Sequence, residues 1–195
     1  MIAAAVLVLV VVAYRVVMGV TGSGQMDAWH NFSPLAAVAL CGAIYFPKRV
    51  ALAFPLLALF VSDLILNAHY AAPLLSWDIL PRYAALGLTA GFGWLLRDNA
   101  RPGLVLAASA AGSTAFFLIT NTGAWLGEPR YGGDLVGWTQ AMTTGLPGYP
   151  STLLFFRNTL LSDLSFSALF LICVAFPSKT KSPLQAPRTQ QLTPW

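Results

Sequence analysis

Six long apolar runs govern what this chain can fold into. They are Met1–Val20, Ser33–Phe46, Val50–Leu66, Ile79–Leu96, Leu104–Thr120 and Leu153–Phe176. A helix needs about 20 apolar residues to cross about 30 Å of hydrocarbon, and five of the six runs approach or exceed that length. Composition agrees. The 195 residues are 57% hydrophobic and only 9% charged, against roughly 25% charged in an ordinary soluble domain. A soluble globular protein, a disordered chain and a nucleic-acid module are excluded. The expected fold is an all-α integral membrane protein with six transmembrane helices in one domain over residues 1–176. The first run has no basic residue ahead of its apolar core and no small-residue cleavage site, so it is expected to be a retained span.

Charge sets the expected orientation. With six spans both termini share one side, together with Lys48, Arg49, Arg97, Arg101, Lys179, Lys181 and Arg188. The other side receives Arg15, Arg82, Arg130 and Arg157. The positive-inside rule then puts both termini in the cytoplasm. The tail 177–195 is polar, proline-bearing and basic, and is expected to be a disordered cytoplasmic tail. The net charge of +4 reports topology and contact with the lipid bilayer, not an acidic partner.

The outer connections, Thr21–Phe32, Asn67–Asp78 and Asn121–Thr152, carry Trp29, Trp77, Trp125, Trp138, Tyr70, Tyr131, Tyr149 and both histidines, His30 and His69. Interfacial aromatic belts dress both membrane faces, so a one-sided excess suggests a lid or binding surface; packed loops with a lopsided belt remain the alternative. Gly133–Gly145 is expected to form a short interfacial helix with Leu135, Val136, Trp138 and Met142 on its apolar side.

Ionisable residues inside spans are expensive and need a partner or a purpose. Asp63 lies near the outer end of the third run, and Asp163 lies about 15 Å into the sixth at 1.5 Å per residue. Arg157 and Asn158 sit above Asp163, Arg82 opens the fourth run and Asn121 closes the fifth. One reading pairs Arg82 and Arg157 with Asp63 and Asp163 in a polar cluster that holds a ligand or coupling ion. The other makes the cluster an ion-pair network that locks helices together. The second run is too short to span alone. It starts in NFSPLAA, where Asn31 or Ser33 can cap a helix with Pro34 in its first turn. A short helix of this kind points to a substrate site, or else to burial among longer neighbours.

Cys41 and Cys173 both lie in apolar runs, which argues against a disulfide framework or cysteine zinc site. No nucleophile elbow, P-loop, dinucleotide fingerprint or metal-binding histidine pair is present, so an enzyme is unsupported.

The run NFSPLAAVALCGAIYFPKRVALAFPLLALFVSDLILNAHY, followed by ITNTGAWL and FFRNTLLSDLSF, resembles small bacterial six-span membrane proteins. It is similar to the S components of energy-coupling-factor vitamin transporters, and among those to BtuM-type cobalamin transporters. The resemblance implies an S-component-like bundle in the bacterial cytoplasmic membrane. Its ligand, a small vitamin with cobalamin first among candidates, would be taken up from the outer face by a protein with no cofactor of its own. It further implies either an ATP-driven coupling module as partner or a solitary mode. The expected ligand-binding residues are Asn31, His69, Tyr70, Arg82, Asn121, Trp125, Arg157 and Asp163, with His69 the candidate ligand for the cobalt of a bound cobalamin. Competing classes are a non-transporting membrane scaffold and, less favoured, a membrane enzyme. No nucleic-acid partner is expected.

Overall fold

The computed structural model describes residues 2–21, 34–51, 53–73 and 79–175. Asn31, Ser33 and the tail therefore lie outside the described residues. Those described contain seven α-helices and no strand: α1 (Ile2–Thr21), α2 (Leu35–Tyr45), α3 (Ala53–His69), α4 (Ile79–Leu96), α5 (Pro102–Gly127), α6 (Leu135–Met142) and α7 (Thr152–Ala175). Two of them, α5 and α7, are long and apolar enough to cross a membrane.

The short helix α2 sits at the centre. Its sequence, LAAVALCGAIY, has no polar face, and Ala36 to Ile44 are all buried. It packs against α3, α4, α5 and α7. Small residues allow this close approach. A Cβ on Gly93 of α4 would collide with the Leu40 carbonyl oxygen and come within 2.9 Å of the Ala43 Cβ. A Cβ on Gly112 of α5 would come within 2.6 Å of Thr89 Cγ2. Such contacts, with little hydrophobic contrast between helix and surroundings, are how helices associate in lipid. At the far end of α2, Tyr45 and Phe46 pack on Phe170 of α7, with ring centroids 5.5 and 6.3 Å apart.

The bundle has an apolar core, but its surface is apolar too and polar side chains are buried within it. Leu95, Leu135 and Val136 are 82%, 79% and 72% exposed, while Thr89, Ser109, Ser113, Asn158, Ser162 and Asp163 are buried. Extensive exposed apolar surface needs an explanation, and an apolar solvent around the helices supplies one.

Three boundaries depart from expectation. Helix α5 continues through Asn121 and Trp125 to Gly127, where a loop was expected. The Thr120 hydroxyl and Asn121 amide donate to the Phe116 and Phe117 carbonyls one turn back, at 2.7 and 2.8 Å. These polar side chains thus spend their hydrogen bonds on the helix itself instead of ending it. Helix α3 likewise runs to His69. Helix α6 forms inside the expected segment but seats itself through Gly137, Ala141 and Met142, leaving Leu135 and Val136 exposed.

Candidate functional site

The starting end of α2 lies inside the bundle. Its N-cap position is Pro34, which has no side-chain oxygen and makes no capping bond. The cap comes instead from α7. Asp163 Oδ1 accepts from the Ala37 N–H at 2.8 Å, the carboxylate is also bonded by the Ala36 N–H, and Oδ2 accepts from the Ser113 hydroxyl at 2.7 Å. A helix N-terminus leaves N–H groups unsatisfied and carries partial positive charge, so a fully buried carboxylate finds both hydrogen bonds and charge there. A polar seam continues below, where Ser167 Oγ donates to Ser109 Oγ at 2.9 Å.

This corrects the expected Arg157–Asp163 pair. Six residues along a helix is about 600° of rotation, which puts the two side chains on different faces. The Arg157 guanidinium donates to Asn158 Oδ1 at 3.1 and 3.3 Å.

A second polar group joins α1, α3 and α4. Asp63 Oδ1 accepts from Arg15 Nη2 at 2.6 Å and from Arg82 Nη1 at 3.2 Å. Arg15 also donates to the Ser62 hydroxyl, which itself donates to the Leu59 carbonyl at 2.8 Å. Asp63 is 5% exposed, and its Oδ2 has no hydrogen-bond partner among the described residues.

Between these two groups lies a cavity of about 290 Å³ lined by Arg15, Leu35, Ala36, Arg82, Phe116, Thr120 and Thr159. Five helices contribute: α1, the first turn of α2, α4, α5 and α7. Ala36 is shared, since its N–H is held by Asp163 while the residue lines the cavity. The arrangement offers guanidinium donors, threonine hydroxyls and one aromatic wall. Among the described residues its lining holds no carboxylate.

Of the seven expected site residues among those described, the lining contains Arg82 alone, and Asp163 stands directly behind it as the cap of α2. Asn121 neighbours the lining residue Thr120 but bonds its own helix. Trp125 donates from Nε1 to the Gly132 carbonyl at 2.9 Å, and Trp138 donates to Thr122 Oγ1 at 3.2 Å. Trp125 therefore ties the α5–α6 connection to α5, and Trp138 ties α6 to α5. His69 and Tyr70 are exposed at the end of α3 with ring centroids 5.1 Å apart, and the Tyr70 hydroxyl donates to the Gly19 carbonyl of α1. Asn31 lies outside the described residues. Arg15, Phe116, Thr120 and Thr159 were not anticipated. Arg15 could have been, because it is the one charged residue in the first apolar run; the other three carry no signal in sequence.

The α5–α6 connection has its own ion pair. Arg130 donates from Nε and Nη2 to the Glu128 carboxylate at 2.9 and 2.8 Å, which pulls the Glu128 carboxyl from 4.5 to about 2.

No curated protein and no solved structure matches the chain. A family described as a family of unknown function, DUF6580, matches residues 1–185. With nearly its whole length covered, the chain belongs to the DUF6580 family.

Proposed function

We propose that this chain is a substrate-binding membrane transport protein whose ligand occupies the cavity at the start of α2. It crosses the bacterial cytoplasmic membrane six times with both termini in the cytoplasm, and takes up a small vitamin-like molecule from outside. The observation that carries the reading is the cavity itself, a polar space inside an apolar-surfaced bundle, at the point where a short helix begins among longer ones. Helices that start within the bundle, with their N-terminal ends turned to a binding site, recur in transporters. Buried ionisable residues in membrane helices are functional by default, and here Arg15, Asp63, Arg82 and Asp163 converge on one place. A scaffold has no need of such a space.

The volume, about 290 Å³, falls at the lower end of small-molecule sites and favours a compact ligand. A corrinoid is far larger, and His69 is not on the lining, so cobalamin ranks behind smaller vitamins. The energy source is either a separate ATP-driven module or the solitary protein.

Uptake tests the reading. Cells expressing the chain should accumulate one radiolabelled compound from a panel of compact vitamins. Cells expressing Thr159→Trp, which fills the cavity, should not. Equal accumulation by both would contradict a substrate site in this cavity. Single cysteines at Gly133 and Ser182 test the topology: an impermeant reagent should label only the first in intact cells.

A further inference from the structure

The lining of the cavity is one-sided in its chemistry. Among the described residues its charged side chains are Arg15 and Arg82, both cations with N–H donors and no acceptor. Leu35 and Ala36 bring the positive end of α2, but Asp163 already holds the Ala36 and Ala37 N–H groups, so the helix end adds little. The arginines decide the matter. Arg15 carries five N–H donors, and its bonds to Ser62 and Asp63 use two of them. Its side chain is 14% exposed and that of Arg82 25% exposed, so a charge brought beside them is screened less than at an open surface. Behind them stands Asp63, which fixes both through a single oxygen while its own Oδ2 lacks a partner among the described residues. It orients the two donor forks without occupying the cavity lining. Phe116 supplies an apolar wall.

We infer that the cavity binds a compact organic anion, its carboxylate or equivalent oxygens on the guanidinium groups of Arg15 and Arg82 and its apolar body against Phe116. A cation placed there would meet two guanidinium groups whose charge Asp63 offsets only by one. A neutral isostere would forgo the charge-assisted hydrogen bonds that make arginine the usual partner of planar carboxylates. This inference rests on the reading that the cavity takes a small molecule, and it names the class of that molecule. A free anion and a lipid phosphate headgroup share the chemistry, and the probes below distinguish them.

The test compares matched probes on the purified full chain in lipid-free, zwitterionic detergent. Benzoate should raise the unfolding temperature and benzamide should not. Arg82→Gln should weaken benzoate binding at least tenfold, and Arg82→Lys should recover part of the loss because charge returns without the fork. Phe116→Ala should weaken benzoate more than acetate, a readout that leaves both arginines in place. Equal stabilisation by benzoate and benzamide overturns the anion class, as does benzoate binding that is unchanged in Arg82→Gln. Stabilisation by phosphatidylglycerol with none by benzoate or acetate assigns the arginines to a headgroup and overturns the free-anion ligand. A neutral vitamin that stabilises the wild type but not Thr159→Trp, while every anion fails, overturns the anion class and leaves the transport reading standing. Failure of all probes, charged and neutral, removes both.

Discussion

Asp163 of α7 caps α2 by accepting the Ala37 N–H at 2.8 Å, a contact between residues 126 positions apart in sequence. The geometry explains how an eleven-residue helix begins inside an apolar bundle with its Ala36 and Ala37 N–H groups satisfied; each left unpaired would cost about 1–3 kcal/mol.

Asp163→Ala removes that cap and strands the Ala36 and Ala37 N–H groups, while the Ser113 hydroxyl keeps its bond to the Ser109 carbonyl at 3.0 Å. The expected loss is about 3–5 kcal/mol, read as unfolding in detergent. Asp163→Asn keeps one acceptor oxygen and should lose less than half as much. A loss under about 1 kcal/mol for the alanine variant would contradict the capping role.

Arg97 closes the other end of α2. Its guanidinium donates to the Ala43 carbonyl at 2.8 Å and to the Phe46 carbonyl, and it lies 5.6 Å from the Trp94 ring centroid. A cation at a helix C-terminus is favourable. Arg97→Ala should cost about 2–4 kcal/mol, with Arg97→Lys intermediate. The two ends of α2 are separated by roughly 16 Å, so the Asp163→Ala and Arg97→Ala losses should add to within about 0.5 kcal/mol. Strong non-additivity in the double variant would show that the two caps act as one unit.

The Glu128–Arg130 pair gives a pH dependence with a definite sign. Arg130 holds the Glu128 carboxyl down, at about 2 against an ordinary 4.5, so the pair's contribution is fully present above 4.5 and is lost as pH falls towards 2. The Trp125 indole N–H, bonded to Gly132 beside this pair, should keep its NMR shift from pH 7 through 4.5 and move only as pH approaches about 2, where Glu128 takes its proton. In Glu128→Gln the low-pH movement should vanish. The effect on global stability should be small, because the pair is solvent-exposed.

The helices were largely legible because each is an apolar run, and α1, α4 and α7 fall within a residue or two of their expected bounds. The end of α5 was not, since Asn121 reads as the close of the run until its bond to the Phe117 carbonyl is seen. The site was legible in kind but not in membership. Asp63 and Arg82 were expected partners and do meet at 3.2 Å. Asp163 was expected to find an arginine. It finds a helix end instead, because side-chain partners across a bundle depend on rotation about each helix axis, which apolar runs with little amphipathic pattern do not specify. Aromatic side chains drew attention to Trp125 and His69 through composition alone, and composition says nothing of which way a ring faces.

The central claim is that the cavity between Arg15, Arg82 and the start of α2 holds a small molecule. Thermal unfolding of the purified full chain against a panel of compact vitamins measures this most directly. One compound at 100 times its dissociation constant should stabilise the wild type by about 2.7 kcal/mol and leave Thr159→Trp unmoved. Stabilisation that persists undiminished in Thr159→Trp, or a panel in which no compound stabilises the wild type, would contradict it.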